Sequence, residues 1–149
     1  MKEEVYNYLH EYGFDAIEIN EIEKKNENIF YTTISEVKKN LSFLEEKYLS
    51  NDEIINIINN NPFMLTEKNN RLEALDTIYS NLNIDHQSLK ELIKSNSKAY
   101  TISPIELEKI VTYLKQYNLS IDTIKNLIIK NPQIISMKFE EFKTIVNFN

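Results

Sequence analysis

The chain of 149 residues has no cysteine, one glycine, one arginine and two histidines. Each shortage removes a class of function. Without cysteine there is no disulfide framework and no thiolate chemistry, and the expected setting is cytoplasmic, inside the cell. The single glycine, Gly13, cannot build a Gly-rich phosphate loop. Together with only three prolines it leaves few turn residues for hairpins, so helices are expected. His10 and His86 stand far apart, and no His/Cys/carboxylate spacing points to a metal. Acid pairs such as Glu45/Glu46 and Glu140/Glu141 read as solvated helix faces rather than an acid/base dyad. No apolar run approaches the roughly 20 residues that span a bilayer. The opening MKEEVYNYLHEYGF is charged where a signal peptide is apolar. No catalytic residue, cofactor, metal or membrane partner is expected, and the chain reads as a non-enzyme.

Charge is lopsided. Against 23 acidic residues stand 17 basic ones, for a net charge of −6, and Arg71 is the only arginine. Nucleic-acid-binding surfaces favour a basic stripe, with arginine preferred for bidentate phosphate contacts. The whole-chain balance therefore disfavours nucleic acid. Hydrophobic residues make up 42% of the chain, enough to build a core rather than a disordered segment.

What the sequence does contain is a repeat. Pro62 and Pro132 sit in similar settings, NNNPFMLT and KNPQIIS, and their 70-residue separation is twice 35. Set at a period of 35 without gaps, apolar residues fall into columns: Phe14, Leu49, Ile84, Leu119; Ile19, Ile54, Leu89, Ile124; Ile22, Ile57, Leu92, Leu127; Phe30, Leu65, Tyr100, Ile135; Val37, Leu72, Leu107, Phe142. Asn26, Asn61, Asn96 and Asn131 form an invariant column.

The polar columns give the unit its form. Asp15, Ser50, Asp85 and Ser120 each precede a short apolar 3,4-spaced run and suit the N-cap of a short helix. The repeated Asn suits the C-terminal end of that helix in a left-handed conformation, and proline then stops it. Glu27 and Ser97 replace the proline in two units, so softer stops are expected there. A longer helix follows, preceded by Thr66, Thr101 and Ser136, with a capping box expected at Ser103-Pro104-Ile105-Glu106. It ends at Gly13, Tyr48, Asn83 or Asn118, again suited to a left-handed cap. The expected fold is all-α: a helical-repeat solenoid, right- or left-handed. It has about four units (1–35, 36–70, 71–105, 106–140) and a terminal capping helix over 137–148, in one domain spanning 1–149. No unit can bury its faces alone, so stacking makes the core.

The stretches VTYLKQYNLSIDTIKNLIIKNPQIIS (111–136) and LSFLEEKYLSNDEIINIINNNPFMLT (41–66) resemble the repeat of the mitochondrial transcription termination factor (mTERF) family. The pattern is an apolar helix, Gly or Asn, Leu-Ser, a short helix, then x-Pro-x followed by apolar residues. Tetratricopeptide and pentatricopeptide repeats have similar periods but lack the proline break and apolar triplet. The resemblance implies triplets of two α-helices and a 3₁₀ turn, with nucleic-acid binding along a concave basic surface. The sequence departs from it in charge. The most basic columns, Lys24-Asn59-Lys94-Ile129 and Lys25-Asn60-Ser95-Lys130, lack half of a phosphate-tracking ridge.

The leading expectation is a protein-interaction module, an adaptor or inhibitor with an acidic and partly aromatic surface, binding a protein partner or itself. The aromatic candidates are Tyr6, Tyr8, Tyr12, Tyr31, Tyr48, Tyr113 and Tyr117. The partner surface is placed at Val146, Phe148, Tyr113 and Tyr117, with Phe139 and Phe142 packing inward. The alternative, resting on family resemblance, is a nucleic-acid-binding protein of transcription or its termination, with Lys24, Lys25, Lys94 and Lys130 as contacts. A further alternative is an acidic phage-type inhibitor of a nucleic-acid-binding enzyme.

Overall fold

The computed structural model describes residues 1–146, so Phe148 lies outside the described residues. All regular structure among the described residues is helical. Four short helices, α2 (Ala16–Lys25), α4 (Asn51–Asn60), α6 (His86–Ser95) and α8 (Ile121–Lys130), begin 35 residues apart. They alternate with α1 (Glu3–Tyr12), α3 (Ile34–Glu45), α5 (Asn69–Asn81), α7 (Pro104–Gln116) and α9 (Phe139–Ile145). From α3 onward the starts of this second series are also 35 apart. The 3₁₀ helices η1 (Glu27–Phe30), η2 (Pro62–Thr66) and η3 (Pro132–Ser136) follow α2, α4 and α8. After α6 the chain makes a hydrogen-bonded turn instead, with Ala99 N–H donating to Asn96 O at 3.0 Å and Thr101 N–H to Lys98 O at 2.9 Å. The helix expected over 137–148 begins at Phe139 and is helical to Ile145.

The chain forms two compact units, residues 1–69 and 70–149. Each carries two repeats. The expected columns are their cores: Val37, Leu72, Leu107 and Phe142 are at most 1% exposed, and Ile19, Ile54 and Ile124 likewise. Phe30 departs from its column. Leu65, Tyr100 and Ile135 are buried, but η1 turns Ile29 inward and leaves Phe30 45% exposed.

Short-helix starts are set locally. Asp15, Ser50, Asp85 and Ser120 accept from the backbone N–H three residues on, at 2.8, 3.2, 2.8 and 3.1 Å. These bonds satisfy donors that a helix leaves unpaired in its first turn. Glu18 and Glu53 reach back at 2.9 Å each, completing capping boxes at Asp15 and Ser50. At Ser103 only half of the expected box forms. Its Oγ accepts from Glu106 N–H at 3.2 Å, but the Glu106 carboxylate turns to Lys109, 3.7 Å away. The complete box on a long helix is at Thr33 and Glu36.

The long helices exit through a left-handed residue, as expected: Gly13 (φ 130°), Tyr48 (63°), Asn83 (57°) and Asn118 (61°). At Gly13 it is φ that requires glycine; a Cβ there would come within 2.8 Å of Ile55 Cδ1, the far end of a side chain that can turn aside.

The invariant Asn column is not left-handed. Asn26, Asn61, Asn96 and Asn131 have φ of −130°, −144°, −138° and −131°. Their value lies in the side chain. Asn26 Oδ1 accepts from Asn28 N–H at 3.1 Å, while its Nδ2 donates to Pro62 O and Thr66 Oγ1, both at 3.0 Å. Asn96 repeats the arrangement in the second unit: Oδ1 accepts from Lys98 N–H (3.0 Å), and Nδ2 donates to Pro132 O (3.0 Å) and Ser136 Oγ (2.8 Å). One amide thus stitches together the two repeats within each unit. Thr66 and Ser136, which precede the long helices in sequence, receive these stitches.

This also corrects the expectation of softer stops without proline. The helices α2 and α6 end at the same register as α4 and α8. Where proline is missing, the Asn side chain binds the N–H two residues on; where it is present, no such cap forms at Asn61 or Asn131. Either device turns the chain out of the helix.

Candidate functional site

The four lysines marked from the sequence are all exposed and close the short helices. Lys24 and Lys25 lie in the last turn of α2, Lys94 in that of α6 and Lys130 in that of α8. A cation there complements the negative end of the helix dipole, which is reason enough for its presence. Their surroundings then separate them.

In residues 1–69 there are 14 acidic and 7 basic residues, a net of −7. In residues 70–149 there are 9 and 10, a net of +1. The acidity of the chain is thus a property of its first unit. Lys24 is paired with Glu21 at 3.4 Å, and Glu23 and Glu27 flank Lys24 and Lys25 in sequence.

The second unit is built otherwise. Segments 92–105 and 123–139 contain no acidic residue and carry Lys94, Lys98, Lys125, Lys130 and Lys138. Lys125 pairs with Asp122 at 3.0 Å. Among the described residues neither Lys98 nor Lys130 makes an ion pair. Both line one open groove of about 680 Å³ between the end of α6 and the end of α8, together with Ser95, Asn96, Gln133 and Ser136. No carboxylate lines it. The Asn96 stitch holds the two walls at a set spacing, through Pro132 O and Ser136 Oγ.

Residues 62–148 match the sequence profile of the mTERF family. The chain belongs to the mTERF family. No curated protein sequence matches it. The mTERF family is one of nucleic-acid-binding proteins, and the matched residues contain the whole of the near-neutral second unit up to Phe148. The carboxylate-free groove falls inside the match.

The aromatic surface expected at Tyr113 and Tyr117 is brought together in this unit. Tyr113 packs edge-on against Tyr117, Phe139 and Phe142, with centroids 5.1, 5.5 and 6.2 Å away. Its hydroxyl lies 3.4 Å from that of Tyr117, and this hydrogen bond, then burial, raises its pKa. A second, mainly apolar groove of about 390 Å³ runs here, walled by Ile105, Thr112, Tyr113, Gln116 and Phe139, with Glu108 and Lys109 also on its wall. Phe142 is fully buried and Phe139 half-buried. Val146 is half-buried at the end of α9, its N–H bonded to Phe142 O at 3.0 Å, and it is not part of this groove.

Elsewhere the tyrosines are dispersed. Tyr31 and Tyr48 are 82% and 65% exposed, whereas Tyr12 is half-buried and donates to Glu45 Oε1 at 3.1 Å. Burial first, then the Glu45 charge, raises the Tyr12 phenol. Among the described residues no group of three or more metal-binding side chains forms, and no helix is long and apolar enough to cross a membrane.

Column-by-column reading of the sequence missed Lys98, Gln133 and Ile105. The signal for the first two was present in the acid-free segments, which appear when charge is counted along the chain.

Proposed function

We propose that this mTERF-family protein binds nucleic acid through the lysine groove of its second unit, in a role in transcription or its termination. The observation that carries the reading is the groove itself, in which Lys98 and Lys130 share a cleft without a carboxylate inside the family match. At physiological salt, exposed charges more than ~8 Å apart are largely screened. A groove's own charges therefore weigh more than the net charge of the chain, and the −6 that argued against nucleic acid comes from the first unit. Fluorescence anisotropy with a short labelled duplex tests this. Lys98→Ala plus Lys130→Ala is expected to weaken binding about tenfold, by removing two phosphate contacts. Lys24→Ala plus Lys25→Ala should change it little. Equal losses in both variants, or no binding at low salt, would overturn the assignment.

A second reading, the protein-interaction module, is favoured by the exposed aromatic groove at Ile105, Tyr113 and Phe139. In its self-association form it expects a dimer by sedimentation velocity that Ile105→Asp disrupts. A monomer at all concentrations removes that form.

A further inference from the structure

We infer that the first unit carries a docking groove for a basic amphipathic helix of a partner protein. The groove, of about 260 Å³, runs between α2 and the end of α4, and stands apart from both readings above, which concern the second unit. Ile22 and Pro62 are buried beneath it, Ile17 stands at its edge, and Glu18, Glu21, Lys25 and Asn59 complete its walls. By repeat position it corresponds to the lysine groove, but Asn28 and Asn60 stand where that one has Lys98 and Lys130. Ile17 is out of keeping with its column. At 77% exposed it adds little to the core, and the other repeats hold Asp52, Gln87 and Asp122 at this position. The first turn of a helix favours an acidic residue, which meets the positive end of the helix dipole. Isoleucine forgoes that gain and leaves apolar surface in water, at the edge of an apolar groove.

Charge and size select the occupant. Residues 11–27 hold six carboxylates (Glu11, Asp15, Glu18, Glu21, Glu23 and Glu27) against Lys24 and Lys25, a net of −4. That field repels nucleic acid and anionic lipid headgroups, and attracts lysine and arginine. Glu18 is fixed in place, its Oε1 accepting from Asp15 N–H at 2.9 Å and its Oε2 from Asn59 Nδ2. Glu21 is engaged by Lys24 at 3.4 Å in an exposed pair, a bond weak enough to yield to a partner's cation. The groove is smaller than the ~300–1,000 Å³ usual for small molecules, and suits an apolar side chain of a protein. An amphipathic helix supplies both parts, apolar anchors at three- and four-residue spacing and basic residues beside them.

The test uses the intact chain and two labelled helical peptides of about 18 residues, long enough to form a helix alone. Both carry leucines on one face; the other face is lysine in one and glutamate in the other. Fluorescence anisotropy should show the lysine peptide binding at least about tenfold more tightly than the glutamate peptide. Ile17→Gln, which installs the residue found at Gln87, should weaken the lysine peptide about tenfold, with circular dichroism unchanged. Ile17→Leu should keep the affinity, and so should Ile105→Asp in the aromatic groove of the second unit. Equal affinity for the two peptides, or an Ile17→Gln chain that binds as the parent does, overturns the inference. A loss in Ile105→Asp equal to that in Ile17→Gln overturns it as well. Self-association by sedimentation velocity that Ile17→Gln abolishes gives the groove to a second copy and overturns the basic partner. None of these outcomes touches the lysine groove, whose own test is binding of the labelled duplex.

Discussion

Replacing Asn26 by alanine removes a side chain that joins one repeat to the next, and the loss can be worked from its contacts. Asn26 is fully buried and makes three hydrogen bonds, to Asn28 N–H, Pro62 O and Thr66 Oγ1. Each is worth a net ~0.5–1.5 kcal/mol. Asn28 is exposed, so its N–H can turn to water, but Pro62 is buried and its carbonyl loses a partner without replacement. The expected cost of Asn26→Ala is therefore about 2–4 kcal/mol, a large share of the ~5–15 kcal/mol typical of a folded domain. Urea unfolding followed by circular dichroism should show the midpoint falling by about 1–2 M at constant slope. Asn96→Ala removes the same set of bonds from a half-exposed site, where water compensates, and about half the cost is expected. Among the described residues the Asn131 side chain bonds only to Leu127 O of the helix it ends, at 3.0 Å, and Asn131→Ala should cost about 1 kcal/mol or less. Asn26→Asp keeps the shape but sets a carboxylate oxygen against Pro62 O, and should cost at least as much as alanine. If Asn26→Ala costs under about 1 kcal/mol, or Asn131→Ala costs as much as Asn26→Ala, the stitch does not carry the register between repeats.

The left-handed exits offer two opposite substitutions, both read from the thermal midpoint. Gly13→Ala should lose about 1–2 kcal/mol, from positive φ, whereas Tyr48→Gly should gain up to about 1 kcal/mol by relieving a left-handed non-glycine residue. A loss at Tyr48 would mean that its ring contributes more than its backbone strains. Alkaline pH should unfold the second unit through Tyr79 and Tyr100. Burial raises both phenols above the ordinary 10.0, and Asp76, which accepts from Tyr100 OH at 2.7 Å, raises Tyr100 further. A folded-state pKa above the unfolded one gives stability that is whole below about pH 10 and lost as pH climbs beyond it. Tyrosinate absorbance should therefore show a late step in which the buried pair ionises together with loss of helix. Tyr100→Phe should move that step, and alkaline titration without loss of helix would count against the burial.

By itself the sequence determined whatever depends on neighbours a few residues away. The 35-residue period, the caps at Asp15, Ser50, Asp85 and Ser120, the left-handed exits at Gly13, Tyr48, Asn83 and Asn118, and most of the core columns were legible because a cap or a helix face involves residues three or four apart. The invariant asparagine was visible as a column, but its role was not. Its amide bonds to groups 36 and 40 residues on, and only the packing of one repeat on the next shows which group each atom meets. Phe30 fits an apolar column, yet η1 had room inside for Ile29 alone. The groove escaped the columns for a related reason. A column compares one position across repeats, whereas a cleft is walled by different positions of adjacent repeats. Lys98 lies two residues after the asparagine of its repeat and Lys130 one residue before the asparagine of the next, and tertiary structure sets them in the same groove.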